Sequence, residues 1–216
     1  TLFILYCFCK YLAVTATLSS TSVSELVNLD NYGAYTFTIT DQTASARNLY
    51  ILDEQTSVNL NIASVNTVTE TAAAIDIVAT MYGQGDITNK GDEAITITDG
   101  SISVAKANTT AALTTGIVTA TITETDHSTL ANLNESGNAY TITVGDSTVT
   151  AANLNTINAA TTVAVDATAA TTITGVASAV ITAYNAGSAG EITGLGEEFV
   201  TLDGSTSVAN ANTVSG

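Results

Sequence analysis

Basic residues are scarce in this chain of 216 residues, which has four Lys or Arg against 20 Asp or Glu. The formal net charge of −16 at pH 7 repels nucleic acid phosphates and anionic membranes. Four cations are also too few for a surface that follows a phosphate backbone. The composition therefore excludes nucleic acid as a partner.

Cysteine is confined to Cys7 and Cys9, which excludes a disulfide framework or a four-ligand zinc site within one chain. Both lie in an apolar run over 2–13 that has about the length of a secretion signal. The run lacks an initiating Met and a basic start, and Lys10 interrupts it, so it is too short to span a membrane. We expect 1–13 to be a non-repeat hydrophobic flank or a degraded signal segment.

Proline and tryptophan are absent, and methionine occurs once, whereas the chain contains 41 Thr and 33 Ala. The hydrophobic content of 45% is enough to bury a core, but these side chains are small or β-branched rather than large and aromatic. Such residues favour thin, regular layers. The absence of proline suits uninterrupted hydrogen-bond ladders.

The sequence is internally repeated. Residues 34–93 align without a gap on 139–198, with 20 identities in 60 positions. Residues 14–29 align on 118–133 with 9 identities in 16. Self-similarity at such spacing is typical of stacked repeat architectures. We therefore predict a tandem-repeat region over 14–216.

A shared phrase of alternating apolar and Thr residues, closed by Asp, marks the starts of the repeat units. Successive aspartates of this phrase are 58, 47 and 57 residues apart, so long and short units alternate. The phrase predicts a half-buried strand. Its four copies, at 37–41, 95–99, 142–146 and 200–203, place unit starts near 37, 95, 142 and 200.

Helical spacing follows each strand pattern. Thr150 is a suitable cap for a helix over 151–157, and 176–184 predicts a second helix, with strands expected at 163–165 and 172–174. A strand and a helix of this size cannot bury their apolar faces alone, and stacking of neighbours solves that problem. We predict an α/β solenoid of stacked strand-helix units. The alternative is an all-β parallel β-helix in which the short helices are loops.

No catalytic constellation stands out. His127 is the only histidine, and the aligned residue in the earlier copy is Val23, so the position does not require an imidazole. Arg47 likewise aligns with Ala152. We find no pairing of a nucleophile with a base and no phosphate-binding loop, and we expect no enzymatic activity.

The recurring aspartates Asp41, Asp99, Asp146 and Asp203 are the candidate site residues. Stacking would bring equivalent carboxylates into rows, which a hard cation such as Ca²⁺ could bridge. The competing interpretation is that each Asp caps a turn or helix and faces water. Thr-x-Thr pairs, such as Thr141 with Thr143, suggest a third possibility, a flat hydroxyl face that binds ice.

Four phrases, at 139–144, 150–157, 165–175 and 192–198, resemble tandem repeats of very large secreted proteins of marine cyanobacteria and related bacteria. The resemblance covers about 14–216 and carries no motif of activity. It implies one window of a giant cell-surface or exported protein, of the kind thought to serve as an adhesin or surface-layer structure.

These observations together predict a structural or adhesive extracellular scaffold segment of a larger repeat protein. Its expected partners are the neighbouring repeats of the parent chain and a surface or matrix component. The alternative is a ligand-binding module that takes Ca²⁺ along the acidic rows or ice on the Thr face. No other cofactor is expected.

Overall fold

The computed structural model describes residues 15–18 and 21–215. The flank predicted over 1–13 lies outside these residues, as does Val14, the predicted start of the repeat region. Within them no helix is long and apolar enough to cross a bilayer.

The described residues contain helices of four to twelve residues and strands of two to four. A 3₁₀ turn, Ala72–Ala74, precedes α3. The α-helices are α1 (Val23–Leu26), α2 (Ala46–Gln55), α3 (Asp76–Gly83), α4 (Val104–Ala111), α5 (His127–Leu130), α6 (Ala151–Ala160), α7 (Ala177–Ser188) and α8 (Val208–Ser215). The strands are β1 (Thr15–Thr17), β2 (Ala34–Thr36), β3 (Thr43–Ser45), β4 (Leu60–Asn61), β5 (Thr67–Glu70), β6 (Ile87–Thr88), β7 (Ala94–Ile97), β8 (Val118–Thr121), β9 (Ala139–Thr141), β10 (Thr148–Thr150), β11 (Val165–Asp166), β12 (Thr172–Gly175), β13 (Ile192–Thr193) and β14 (Phe199–Leu202).

Two compact units make up the chain. The first holds the residues up to 99 together with 112–116, and its parallel pairings are β1-β2, β3-β5-β7 and β4-β6. The second holds 100–111 together with the residues from 117 onward, and its parallel pairings are β8-β9, β10-β12-β14 and β11-β13. Each unit therefore contains the same set of short parallel ladders.

Helices and strands recur at the offset that separates the two aligned segments, 34–93 and 139–198. Helix α2 spans 46–55 and α6 spans 151–160, and the strands that follow them begin at Leu60 and Val165. Caps recur as well: the Ser45 hydroxyl accepts a hydrogen bond from the Asn48 N–H at 3.1 Å, and the Thr150 hydroxyl accepts one from Asn153 at 3.3 Å. These hydroxyls satisfy N–H groups that have no partner within the first turn of a helix.

Several local predictions are confirmed. Thr150 caps a helix that runs over 151–160, three residues beyond the predicted end, and the second predicted helix is α7. The strand predicted at 172–174 is β12. The phrases at 95–99 and 200–203 overlap β7 and β14, which each begin one residue earlier.

The phrase at 37–41 follows β2 and lies outside the named strands, although Phe37 and Ile39 are buried and Thr38 and Thr40 are exposed. The phrase at 142–146 likewise follows β9 and contributes only an isolated bridge, from Thr143 to Asp166. Alternating hydrophobicity reports which side chains are buried. It does not require that the backbone pairs with a neighbouring strand.

The prediction of a repeat solenoid is wrong. The described residues form a mixed α/β structure with eight α-helices and several short parallel sheets that do not close. The all-β alternative is wrong as well, because 46–55 and 151–160 are helical. Strands of two to four residues give each ladder few hydrogen bonds, and helices of unequal length separate the strands along the chain. The strand pairing is therefore divided among separate sheets.

Aliphatic and alanine side chains form the interior of each unit. In the first unit Leu49 and Leu52 of α2 are fully buried, and in the second unit Leu154 and Ile157 of α6 are their counterparts. Alanines at the helix surfaces, such as Ala151, are also fully buried. The small side chains let helices approach the strands closely, which suits the thin layers expected from the composition.

Candidate functional site

Two of the predicted aspartates bind the first backbone N–H of a short helix. Asp41 Oδ2 accepts a hydrogen bond from the N–H of Val23, the first residue of α1, at 2.7 Å. Asp146 Oδ2 accepts the equivalent bond from His127, the first residue of α5, at 2.6 Å. Carboxylates are favourable there because the first N–H groups of a helix lack intrahelical partners and carry partial positive charge.

The other two predicted aspartates differ from this pair. Asp99 Oδ1 accepts a hydrogen bond from the N–H of Ala72, which begins the 3₁₀ turn, at 3.0 Å. Within the described part of the chain, no hydrogen bond to the Asp203 carboxylate is observed. Of the four, only Asp146 belongs to a group of three potential metal ligands among the described residues, and rows of carboxylates that bind a cation stay a prediction.

Two glutamates that the sequence analysis missed play the same part as these aspartates. Glu70 Oε2 accepts a hydrogen bond from the N–H of Arg47 in the first turn of α2 at 3.2 Å. Glu124 Oε2 accepts one from Val104, the first residue of α4, at 2.9 Å. Glu70 lies 23 residues after Arg47, and Glu124 lies 20 residues after Val104, so no local capping motif signals them.

Asp126, His127 and Asp146 form the group of potential metal ligands in the described residues. Their ligand atoms lie within 4.8 Å of one another, and His127 Nδ1 is 2.9 Å from Asp146 Oδ2. One imidazole with two carboxylates is a donor set that Zn²⁺ accepts. The side chains of His127 and Asp146 are 18% and 32% exposed, so solvent reaches both.

One oxygen of each carboxylate in this group already has a protein donor. Asp126 Oδ1 accepts hydrogen bonds from the Ser128 hydroxyl at 2.6 Å, the Thr129 N–H at 2.8 Å and the Thr129 hydroxyl at 2.9 Å. These bonds lower the pKa of Asp126 from 3.8 to about 2. Because Val23 receives the same backbone contact from Asp41, helix capping at this position needs no imidazole. Asp126 and Asp146 together therefore cap the N-terminus of α5 through backbone N–H groups.

A cavity of about 580 Å³ opens in the first unit, where the chain enters β5 and β7. Its polar side chains come from the loop before β7 and from Asn66. The wall consists of Ala63, Val65, Asn66, Asn89, Lys90, Gly91, Asp92 and Glu93.

Glu93 is the most buried charged residue of the cavity wall, with 1% of its surface exposed. Its Oε2 accepts hydrogen bonds from the Tyr82 hydroxyl at 2.7 Å and from the Gly91 N–H at 2.8 Å. Its Oε1 is buried and has no hydrogen-bond partner among the described residues. Burial, together with the bond to Glu93, raises the pKa of Tyr82 well above its usual range, so this hydroxyl stays a donor.

Glu198 occupies the equivalent position in the second unit, and its oxygens are satisfied. The Gly196 N–H donates to both Oε1, at 3.1 Å, and Oε2, at 2.8 Å. The Tyr184 hydroxyl donates to Oε2 at 2.8 Å. The glutamate, the glycine two residues before it and a helix tyrosine thus recur, but the unpartnered oxygen is specific to Glu93.

Asp53, at the end of α2, is a second buried carboxyl in the first unit, and its Oδ1 has no partner in the described residues. Burial raises its pKa, and the nearby charges of Asp86 and Glu54 act in the same direction. It does not line the cavity.

Exposed threonines follow the predicted alternation in the second unit. Thr119 and Thr121 of β8 are exposed, and Thr121 is the register partner of Thr141, also exposed, on β9. Ice binding at such a face stays a prediction.

Comparison with known proteins gives no match: no family model, no curated protein and no solved structure is similar to this chain.

Proposed function

We propose that this chain is a structural or adhesive scaffold segment of a larger extracellular or cell-surface protein. The observation that supports the proposal best is the use of carboxylates at helix starts. Among the described residues, the carboxylates that accept a backbone N–H at or near the beginning of a helix or 3₁₀ turn from a segment distant in sequence are Asp41, Glu70, Asp99, Glu124 and Asp146.

These bonds join parts of the chain that are distant in sequence. The five contacts connect residues 18 to 27 positions apart. Helices of four residues are too short to be stable alone, and a carboxylate at the N-terminus contributes roughly 0.5–2 kcal/mol to each. These carboxylates therefore stabilise helix starts against distant parts of the chain, which suits a scaffold.

The remaining acidic groups make the protein surface negatively charged. A net charge of −16 keeps a protein dispersed in solution and repels other anionic surfaces. Exposed threonine hydroxyls on the strands offer neutral hydrogen-bonding groups between these charges. Such a surface suits adhesion to a neutral or cationic matrix component, and the resemblance to repeats of secreted giant proteins supports an extracellular setting.

Thermal unfolding of the full chain, followed by circular dichroism in EDTA and then in 5 mM CaCl₂, tests the proposal. A scaffold whose carboxylates already bind backbone N–H groups should have the same midpoint in both solutions. A large rise in the midpoint with calcium would mean that the fold depends on a bound ion and would overturn the proposal in favour of a calcium-binding module.

The Asp41→Asn variant serves as a control in the same experiment. Asparagine retains an oxygen that can accept the Val23 N–H, so its midpoint should stay near that of the parent chain and remain insensitive to calcium. A calcium response that disappears in Asp41→Asn would place the ion on the predicted acidic positions.

A further inference from the structure

We propose that the C-terminal segment 204–214 of one copy of this chain binds β1 and α1 of a second copy. The contact repeats, between two copies, one that the second unit makes within itself between 100–111 and 117–134. This inference goes beyond the proposed scaffold function and does not depend on it.

The C-terminal segment is a repeat of the segment that forms α4. Residues 204–214 align without a gap on 100–110, with 8 identities in 11 positions. A serine hydroxyl accepts an N–H three residues later at the start of both helices, Ser103 before α4 at 3.2 Å and Ser207 before α8 at 3.1 Å. Both segments therefore form a serine-capped helix of eight residues.

In the second unit, the segment that contains β8 and α5 covers the α4 segment. Ile102 forms a parallel bridge with Ile122. The Ile102 N–H donates to the Thr121 carbonyl at 2.9 Å, and the Ile102 carbonyl accepts the Thr123 N–H at 2.9 Å. The start of the α4 segment is thereby joined to the end of β8 through the backbone.

Side chains continue this contact along α4. The Glu124 carboxylate accepts the N–H of Val104 at 2.9 Å. The Asn108 amide donates to the Asn132 carbonyl at 2.8 Å, and its oxygen accepts the Asn134 N–H at 3.0 Å. Under this cover, Val104 is only 4% exposed.

The C-terminal segment lacks such a cover. Helix α8 packs against α7, yet Val208, the counterpart of Val104, is 79% exposed. Thr206 is also exposed, whereas its counterpart Ile102 is buried. The start of α8 therefore presents to solvent the surface that α4 buries.

The N-terminal segment of the chain is a repeat of the cover of α4. Residues 14–29 align on 118–133, and β1 pairs with β2 in the same parallel register as β8 with β9. Among the described residues β1 has no second neighbouring strand, so its other edge is open. Leu18 is half-buried, whereas its counterpart Ile122 is buried. A second copy thus offers both the structure of the cover and an incompletely buried apolar residue at the matching position.

The contact between copies should be weaker than the internal contact. Ser20 aligns with Glu124, so the hydrogen bond of that carboxylate is not repeated. Each copy also carries a net charge of −16, and the two copies repel each other unless salt screens the charge. Because different surfaces meet, a dimer keeps one free surface of each kind and can bind further copies.

The first measurement is sedimentation velocity of the full chain in about 0.5 M NaCl, where screening acts within a few ångströms. A weak interface requires concentrations from about 10 μM to about 1 mM. The average mass should rise reversibly with concentration and pass beyond that of a dimer. A monomer at every concentration would overturn the proposal, as would a closed dimer that does not grow.

A charge on the exposed face of α8 should block the contact. Val208→Asp suits the first position of a helix, so α8 should still form, but burial of the new carboxylate against a second copy should weaken association at least tenfold. Val163→Asp makes the same change at an exposed valine in the loop after α6 and should leave association unchanged. Association of Val208→Asp as strong as that of the parent chain, or a loss in Val163→Asp, contradicts the proposal.

A mixture of two variants tests which surfaces meet. Leu18→Asp places a charge beside β1 and should leave the chain monomeric, as should Val208→Asp. An equimolar mixture retains one intact surface of each kind, so it should form a 1:1 dimer and no larger species. A mixture that stays monomeric while both variants keep the circular dichroism spectrum of the parent chain would overturn the pairing.

Chain termination covers the case in which Leu18→Asp fails to fold. Val208→Asp binds only through β1, so an excess of it should shorten the assemblies of a fluorescently labelled parent chain. The same excess of Val163→Asp should lengthen them, because that variant keeps both surfaces. Equal lengths with the two variants would contradict the proposal.

Discussion

One carboxylate oxygen of Asp146 contacts both the backbone N–H of His127, at 2.6 Å, and the Nδ1 of the same residue, at 2.9 Å. The two residues are 19 positions apart in the sequence, and the pair fixes the start of α5 against the segment that precedes β10. Asp41 and Val23 repeat the backbone part of this contact in the first unit. The contact is therefore a property of the repeat, and the imidazole is an addition to it.

Replacement of Asp146 by alanine is expected to destabilise the protein by about 1 kcal/mol, because it removes the acceptor at a helix N-terminus. For a domain of this size, such a loss lowers the thermal midpoint by about 2–4 °C. Asp203→Ala is the matched control, since no hydrogen bond to the Asp203 carboxylate is observed among the described residues, and it should shift the midpoint by less than about 1 °C. Equal effects of the two variants would contradict the capping role.

The threonine that follows α6 connects two segments through its hydroxyl. Thr161 Oγ1 donates to the Tyr140 carbonyl at 2.7 Å and accepts hydrogen bonds from the N–H groups of Tyr140, at 3.0 Å, and Val163, at 3.1 Å. Thr56 makes the same three bonds in the first unit, with Tyr35 and Val58.

Thr161→Val keeps the shape and removes the hydroxyl, which leaves two backbone donors and one acceptor without partners. We expect a loss of about 2 kcal/mol in the free energy of unfolding, measured by urea denaturation. Thr161→Ser retains the oxygen and should recover most of that loss. A valine variant at least as stable as the serine variant would contradict the expected role of the hydroxyl.

Gly116 lies where no side chain fits. A Cβ at this position would approach the Glu93 backbone oxygen to 2.4 Å and its carbonyl carbon to 2.5 Å, and backbone atoms cannot move aside as the end of a flexible side chain can. Gly116→Ala should cost about 1–3 kcal/mol in urea denaturation. Gly85→Ala has open space within 4 Å and should change stability by less than about 0.5 kcal/mol. The interpretation fails if both variants unfold at the same urea concentration.

Stability at acidic pH should depend on Asp126. The Ser128 hydroxyl, followed by the Thr129 N–H and hydroxyl, lowers its pKa from 3.8 to about 2. A folded-state pKa below the unfolded value means that the contribution is complete above about pH 4 and is lost as the pH falls through 2. A carboxyl-carbon NMR titration should show the low pKa, and Ser128→Ala should raise it towards 3.8. An unchanged titration in Ser128→Ala would rule out the hydroxyl as the main cause.

Burial and secondary structure can be predicted from the sequence where the pattern depends only on residues close together in the chain. Thr150 and the apolar residues Leu154 and Ile157 predict α6 because a cap and helical spacing act within about ten residues. The phrase at 37–41 predicts burial of Phe37 and Ile39 correctly but not its pairing, because a ladder requires a partner strand that the pattern does not contain.

The candidate site is harder to predict from the sequence. Asp92 and Glu93 were visible as a recurring acidic pair, together with 197–198, yet the two copies look alike as sequences. Only the structure shows that both Glu198 oxygens receive donors whereas one Glu93 oxygen is buried without any. The glutamates that bind helix starts, Glu70 and Glu124, have no local sequence signal, since their donors lie 23 and 20 residues away.

The sequence by itself determined the internal repeat, the acidic charge, the small β-branched interior and the Thr150 cap of α6, because each depends on composition or on contacts between near neighbours. The tertiary structure decided how far each ladder continues, which carboxylates meet a helix start and which one remains without a donor. Those outcomes depend on the distance between atoms that are far apart in the chain, and the pattern of residue types does not specify that distance.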